Sequence, residues 1–401
     1  MLTLLRKTTF FIFATSAAKV MPLIIGYFIA AQSGPVNYAL YISFILLSGV
    51  ITSFSALGCA PQALSMSDVK SDPAFCFAHL LLVGFFSVFL VSITLFILIE
   101  TGFVSMPSDF SKIIHFSIIY SFGMFLIYLV TARLNNLGKH DWASIVWLVY
   151  SLIILCASSL WYFLNLDKKI IFMLIACSSL SAGIFGCYLL SAVGGDELIK
   201  YEAFRDYSVL SSIFKKAIQL SLFGLLITGV FFYLQITISS KSQNEGAVFS
   251  FFYQMFALII FIPSVMGSFV VPFMVKQRLD GVYIYISYFL FSGIACLVFY
   301  ILYPYVSELY NLPIVDEVSN KLFVFCLFSI LASINACSNQ IFVARKEYSL
   351  LLVFSFLWVF FIFVYLFIVG MNLGSILRAL FYAYLIIVFS SFFLIKRKGY
   401  V

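Results

Sequence analysis

Long apolar segments separated by short polar ones run through the whole chain. A helix needs roughly 20 apolar residues to cross the hydrocarbon core of a bilayer. Twelve segments reach about that length, and the loops between them hold most of the charged residues. The pattern therefore predicts about twelve transmembrane helices, at residues 8–31, 38–58, 75–99, 112–132, 142–164, 170–193, 217–238, 247–271, 282–302, 321–342, 349–370 and 374–395.

Matching phrases at a nearly constant distance indicate that the chain contains two similar halves. The phrase Asn37-Tyr38-Ala39-Leu40-Tyr41 aligns with Glu245-Gly246-Ala247-Val248-Phe249 at an offset of 208 residues. The loop at 138–142 matches the loop at 344–348 at an offset of 206, and Pro61 and Pro272 differ by 211. Three landmarks in the same order favour duplication, an arrangement typical of transporters whose substrate path lies between the repeats.

The predicted fold class is an all-α polytopic membrane protein with two pseudo-repeated six-helix bundles around a central cavity. The bundles are predicted at residues 1–195 and 217–401. A cytoplasmic linker at 196–216 joins them, and its spacing of apolar residues fits an interfacial amphipathic helix. An ordinary connecting segment with a helical turn or two fits equally well.

Composition and charge exclude a soluble protein. Of 401 residues, 64% are hydrophobic and only 10% are charged, whereas soluble domains are nearer half apolar and a quarter charged. The net charge of +7 does not indicate nucleic acid, because the basic residues are scattered through the loops. Sixteen loop Lys and Arg residues fall on one side of the predicted membrane and five on the other. This asymmetry predicts that both termini are cytoplasmic.

The sequence offers little material for catalysis. It has no Walker A motif, its eight cysteines show no metal-binding spacing, and no Asp or Glu lies inside a predicted span. We therefore expect a protein that is not an enzyme and that uses no cofactor or metal. A membrane-embedded glycan polymerase or ligase remains an alternative, but it would need acids or arginines in a large outer loop, and the outer loops are short.

Two cations lie inside the predicted spans and are the first candidates for substrate binding. Lys19 lies near the middle of the first span, where an ammonium normally faces a bundle interior or a hydrated cavity. Arg378 lies about one turn inside the twelfth span, so its side chain either faces the cavity or reaches the outer headgroups. Neither has an intramembrane acid as a partner in the sequence.

Amide side chains form the second group of candidates. Asn335, Ser338 and Asn339 share one face of the tenth span, since they are spaced at i, i+3 and i+4. Gln235 and Gln254 lie in the seventh and eighth spans. Such groups either join helices through hydrogen bonds or line a polar path. The candidate substrate-binding residues are thus Lys19, Arg378, Gln254, Gln235, Asn335 and Asn339.

Two short motifs carry a family resemblance. They are Gly34-Pro35-x-x-Tyr38-x-Leu40-Tyr41 and Glu245-Gly246-x-x-Phe249-Ser250 followed by Gln254, with prolines at 263 and 272. The chain resembles the bacterial O-antigen and polysaccharide flippases of the multidrug, oligosaccharidyl-lipid and polysaccharide exporter superfamily. It departs from many relatives at Gln235, where they have an aspartate.

The resemblance implies a flippase of the bacterial inner membrane that acts in lipopolysaccharide, O-antigen or capsule assembly. The substrate would be an undecaprenyl-pyrophosphate-linked oligosaccharide, moved from the cytoplasmic to the outer leaflet by alternating access. Membrane lipids and other polysaccharide-assembly proteins would be its partners, and Lys19 would neutralise pyrophosphate. The alternative within the superfamily is an ion-coupled multidrug or small-solute exporter, which typically has an acidic cavity.

Overall fold

The computed structural model describes residues 2–64, 73–101, 113–194, 207–275, 281–312, 318–345 and 347–399. Within these ranges the chain forms helices joined by short turns, and no strand occurs. The helices are α1 (Leu2–Leu64), α2 (Pro73–Glu100), α3 (Ile114–Asn136), α4 (His140–Phe163), α5 (Lys168–Gly194), α6 (Tyr207–Lys241), α7 (Gln243–Val275), α8 (Gly281–Leu309), α9 (Val318–Ala344), α10 (Tyr348–Val369) and α11 (Leu373–Arg397).

The first two predicted spans lie in one helix that is interrupted only at Gly34. This residue has φ 81° and ψ 173°, a conformation that glycine adopts without the strain a Cβ would cause. The predicted spans 8–31 and 38–58 leave a loop at 32–37, but Asn37 Nδ2 donates to the Ser33 carbonyl at 2.6 Å and the backbone is helical on both sides of Gly34. Polar residues at this point therefore bond locally without ending the helix.

The predicted class of an all-α, polytopic membrane protein is confirmed. Eleven stretches of the described residues are long and apolar enough to cross a membrane. The first of them, Phe10–Ser53, is 44 residues long. Because Gly34 divides it, this stretch holds two of the predicted spans.

Helix boundaries repeat along the chain with the offset found in the sequence. The break at Gly34 in α1 corresponds to Ser242, the single residue between α6 and α7, which lies 208 residues later. Helices α3 and α9 end 208 residues apart, at Asn136 and Ala344. The helices that follow them, α4 and α10, also begin 208 residues apart. The duplication thus extends from short motifs to the helices themselves.

The chain divides into two compact units. The first comprises Met1–Gln32 and Ser43–Phe232, and the second comprises Ser33–Ile42 and Tyr233–Val401. In the first unit α3 packs against α5 and both contact α4. In the second unit α9 packs against α11 and both contact α10 in the same way.

The α3–α5 crossing is close enough to bring the two backbones into contact. A Cβ added to Gly123 would lie 2.4 Å from Leu180 N, and one added to Gly183 would lie 3.0 Å from the Gly123 carbonyl oxygen. Small residues permit this approach between membrane helices, where dispersion contacts replace the hydrophobic effect as the source of stability. The crossing holds α3 firmly within the first unit.

Many large apolar side chains face outward, as a lipid environment requires. Phe367, Phe163 and Phe393 are 92%, 79% and 73% exposed. The predicted linker at 196–216 lies largely outside the described residues, and its last part, from Tyr207, begins α6.

Candidate functional site

A lysine and a tyrosine from distant parts of the sequence meet on the surface of the first unit. Lys19 lies on an exposed side of α1, and its Nζ donates to Tyr128 Oη on α3 at 3.4 Å. This distance is long for a hydrogen bond, so the contact is weak. Within the part of the chain that the structure describes, no carboxylate forms an ion pair with Lys19.

The position of Tyr128 along α3 places the pair deep in a membrane. Tyr128 lies eight residues before the end of the helix at Asn136, which corresponds to about 12 Å along the axis. Because the hydrocarbon core is about 30 Å thick, this depth is closer to its middle than to its surface. An exposed ammonium there needs water or an anion beside it.

A column of aromatic side chains supports Tyr128 from inside the unit. The Tyr128 ring meets Trp147 of α4 edge-on with centroids 5.4 Å apart, and Trp147 meets Tyr150 edge-on at 6.2 Å. The Tyr150 hydroxyl lies 3.1 Å from the hydroxyl of Tyr120. Trp147, Tyr150 and Tyr120 are buried, whereas Tyr128 is half-buried. The column therefore fixes the ring of Tyr128 while its hydroxyl reaches the surface.

Gln254 is buried and engaged in a hydrogen bond within the second unit. It is 5% exposed, and its Oε1 accepts from the Tyr38 hydroxyl at 2.7 Å. Tyr38 is fully buried and belongs to the short segment Ser33–Ile42 that this unit includes. This contact joins α7 to the residues after the break in α1. Its geometry is that of a bond between helices.

Gln235 is also fully buried, close to the turn between α6 and α7. Its Nε2 donates to Ser239 Oγ at 2.9 Å and to the Gly246 carbonyl oxygen at 3.3 Å. Its Oε1 is buried and accepts no hydrogen bond from a described residue. A Cβ on Gly246 would lie 2.4 Å from Ser239 Oγ, so glycine is needed where the two helices approach at this turn.

The predicted polar stripe of α9 divides into a buried member and two half-buried ones. The Ser338 hydroxyl lies 2.9 Å from the Tyr285 hydroxyl of α8 and accepts from Ser391 Oγ of α11 at 3.1 Å. Asn335 and Asn339 flank it and are half-buried. Asn335 Oδ1 is buried and has no hydrogen-bond partner among the described residues. Ser338 therefore joins three helices, and the two amides lie beside this junction.

Arg378 lies on an exposed side of α11, in the second turn of the helix. The helix begins at Leu373, where Asn372 Oδ1 accepts from Ser375 N at 2.8 Å as its N-cap. The carboxylate of Glu245 accepts from Leu373 N at 3.1 Å and ties this helix start to α7. These bonds fix the end of α11 from which Arg378 projects.

The six predicted site residues are divided between the two units. Lys19 belongs to the first unit, and Gln254, Gln235, Asn335, Asn339 and Arg378 belong to the second. Tyr128 was not among the residues predicted from the sequence, because no local pattern indicates that it meets Lys19, which is 109 residues away.

The described residues offer no evident metal site. Nowhere in those ranges do three or more His, Cys, Asp or Glu residues lie close enough to share a metal ion. The cysteines at 296 and 326 touch across α8 and α9, where each Sγ lies 3.6–3.8 Å from the carbonyl oxygen of the other residue. They are buried in the contact between these helices.

Comparison with solved structures gives long alignments at low sequence identity. An inward-facing multidrug resistance MATE family transporter of the MOP superfamily is 14% identical, has a TM-score of 0.72 and aligns over 95% of this chain and 94% of that chain. An outward-facing transporter of the same description is 14% identical, has a TM-score of 0.73 and aligns over 98% of this chain and 94% of that chain. A MATE in complex with MaD3S is 14% identical, has a TM-score of 0.75 and aligns over 98% of this chain and 95% of that chain.

Comparison of the sequence alone gives no match, either to a family model or to a curated protein. The structural alignments extend over nearly the whole length of both partners. They are as good for an inward-facing as for an outward-facing transporter. This all-helical, membrane-spanning chain has the fold of MATE-family transporters.

Proposed function

We propose that this chain is a membrane exporter that works by alternating access. The observation that carries the proposal is the fold, which aligns with MATE transporters over at least 95% of the chain. Those relatives of the fold have been solved in inward-facing and outward-facing conformations. Duplicated helical halves of this kind expose a substrate path to each side of the membrane in turn.

The substrate class that the structural neighbours favour is a small organic solute. Two of the aligned structures are described as multidrug resistance transporters. An ion-coupled multidrug or small-solute exporter is therefore the first candidate function, ahead of the flippase that the sequence motifs imply. The coupling ion would have to bind without a mid-span carboxylate, since the described spans contain acids only near helix ends, at Asp141, Glu245 and Glu308.

One observation favours a second candidate, the flipping of a lipid-linked oligosaccharide. Lys19 presents an exposed ammonium deep in the span, and the pyrophosphate of undecaprenyl-pyrophosphate-linked sugars would neutralise it. Transfer of each unpaired sugar hydroxyl into an apolar medium costs roughly 2–7 kcal/mol, so such a head group needs a polar path. This function would place the chain in the bacterial inner membrane with cytoplasmic termini, beside other polysaccharide-assembly proteins.

Neither candidate includes a covalent step. Export and flipping move a substrate without making or breaking its bonds. The purified chain is therefore expected to hydrolyse no ATP and to transfer no sugar.

A reconstitution experiment separates the two candidates. The purified full chain is placed in liposomes and tested with two cargoes, a fluorescent organic cation under an imposed proton or sodium gradient and an undecaprenyl-pyrophosphate-linked oligosaccharide. Gradient-dependent movement of the cation supports the solute exporter. Movement of the lipid-linked sugar between leaflets, read by access of a soluble glycosidase, supports the flippase. If neither cargo moves faster than in protein-free liposomes, the export proposal is wrong.

A further inference from the structure

We infer that Tyr128 is a second substrate-binding residue, and that it acts with Lys19 as a two-donor receptor for the oxyanion head group of an amphiphile. The inference rests on the flippase candidate of the proposed export function, since Lys19 would repel a cationic solute, and it specifies the head group that the exported molecule presents to the first unit. Tyr128 was not among the site residues predicted from the sequence.

The Lys19–Tyr128 pair retains three hydrogen-bond donors that no described residue uses. Tyr128 Oη accepts from the Lys19 ammonium, so its own proton remains available to donate. Among the described residues no acceptor for that proton is found. The ammonium has three N–H groups and uses one of them on Tyr128. One phenol O–H and two N–H groups therefore lie beside each other, an arrangement that suits an anionic oxygen.

Buried aromatic side chains hold the Tyr128 donor in place. Trp147 packs edge-on against Tyr128 at 5.4 Å and is itself buried. Behind it, Tyr150 and Tyr120 are linked through hydroxyls 3.1 Å apart. A donor whose ring is already fixed loses little conformational freedom when a ligand binds, which favours affinity.

The environment of the pair disfavours an uncompensated cation. At about 12 Å from the end of α3, the ammonium lies where a lone cation is costly in lipid. The 3.4 Å contact with Tyr128 supplies a dipole but no compensating charge. A phosphate or carboxylate supplies that charge and accepts from both residues. A quaternary ammonium head group offers no acceptor and is repelled by Lys19.

The inference is tested by binding in an uncharged detergent, with the full chain and three amphiphiles of equal tail length. They are dodecyl phosphate, dodecanoate and dodecyltrimethylammonium. We expect the phosphate to bind at least about tenfold more tightly than the trimethylammonium, as suits charge-assisted hydrogen bonds. Equal affinities would overturn the inference. If dodecanoate binds as tightly as dodecyl phosphate, the site is a general oxyanion receptor, and if dodecanoate binds more weakly, the site selects phosphate. Either result supports the two-donor site.

Two matched tyrosine variants measure what the Tyr128 hydroxyl contributes to binding. Tyr128→Phe keeps the ring and removes one donor, so it should weaken dodecyl phosphate binding about tenfold. Tyr188→Phe removes an exposed hydroxyl of the same unit and should change nothing. In Lys19→Ala, adding Tyr128→Phe should weaken binding by less than it does in the wild type, because both residues hold one head group. Wild-type affinity in Tyr128→Phe would overturn the inference.

Because this titration involves no transport, its failure is distinct from failure of the export proposal. A chain that binds dodecyl phosphate through Tyr128 and moves neither cargo in liposomes would contradict the proposed function alone. A chain that exports and yet binds all three amphiphiles equally would contradict the inference alone. Thermal unfolding of each variant, measured in the same detergent, shows whether a loss of affinity comes from loss of the fold.

Discussion

Helices α3 and α4 in the first unit and α9 and α10 in the second are counterparts in the duplicated chain, yet their aromatic clusters differ in polarity. In the first unit the hydroxyls of Tyr120 and Tyr150 lie 3.1 Å apart. The residues 208 positions later are Phe328 and Trp358. These pack against Tyr384, with ring centroids 6.4 Å and 5.3 Å apart. An aromatic cluster is thus common to both pairs of helices.

The pair formed by Lys19 and Tyr128 has no such counterpart in the second unit. The residues 208 positions after Lys19 and Tyr128 are Ile227 and Ala336, which contain no donor or charge in their side chains. The same helices therefore form and pack without the lysine and the tyrosine. The difference fits the binding role proposed for the pair in the first unit, whereas the polar groups described in the second unit mostly join helices.

The largest effect that follows from this comparison is expected for Lys19→Ala. Export per inserted molecule should fall at least about tenfold, because a charge-assisted contact with substrate is removed. Stability should change by less than about 0.5 kcal/mol, because the side chain is exposed and its one bond is long. Lys19→Arg should retain part of the activity. Export normalised to the amount of membrane-inserted protein measures the loss of activity. Thermal unfolding in detergent measures the change in stability.

A control for this variant lies at the counterpart position. Ile227→Ala also shortens a side chain of a spanning helix but removes no charge, so its export should stay within about twofold of the wild type. Full export by Lys19→Ala would contradict a binding role. Loss of the folded protein in Lys19→Ala would instead assign the lysine to helix packing.

The second effect is a loss of stability for Gln254→Leu. This change leaves the buried Tyr38 hydroxyl without its acceptor at 2.7 Å, which should cost about 1–3 kcal/mol of unfolding free energy. Export per folded molecule should be unchanged. Combining it with Tyr38→Phe removes both partners and should cost less than the sum of the single changes. A variant that melts normally but fails to export would show instead that Gln254 contacts substrate, as the sequence predicted.

The smallest effect is expected for adjacent residues of the α9 stripe. Ser338→Ala removes the hydroxyl shared with Tyr285 and Ser391 and should destabilise by about 1 kcal/mol. Asn339→Ala removes a half-buried amide and should destabilise by less than about 0.5 kcal/mol. Detergent melting of the two variants provides the comparison. Equal losses would mean that Ser338 does not join these helices.

The sequence predicted the helices well because apolar length and repeat spacing are local properties of the chain. It found the duplication from a few loop residues, and the boundaries at Asn136 and Ala344 repeat with nearly the same spacing. It predicted the turns too long. The predicted loops 32–37 and 239–246 shorten to Gly34 and Ser242, because Ser and Asn side chains can bond within a continuing helix.

The candidate site was less predictable because its contacts join residues far apart in sequence. Lys19 was identified from its charge alone, but its neighbour Tyr128 is 109 residues away. Gln254 and Gln235 were selected as polar residues in apolar spans, a pattern that does not distinguish a cavity wall from a bond between helices. The Tyr38 hydroxyl that meets Gln254 lies 216 residues away, beyond any local pattern.

The segment Ser33–Ile42 has a consequence for attempts to divide this gene. It belongs to the second unit, although the chain on both sides of it belongs to the first, which extends to Phe232. Two coexpressed fragments cut at 195–206 would each lack a piece of their own unit. The first would contain the segment without its packing partners, and the second would contain 207–232 without theirs. Neither fragment should accumulate alone, so activity in a split gene would require complementation by both products in one membrane.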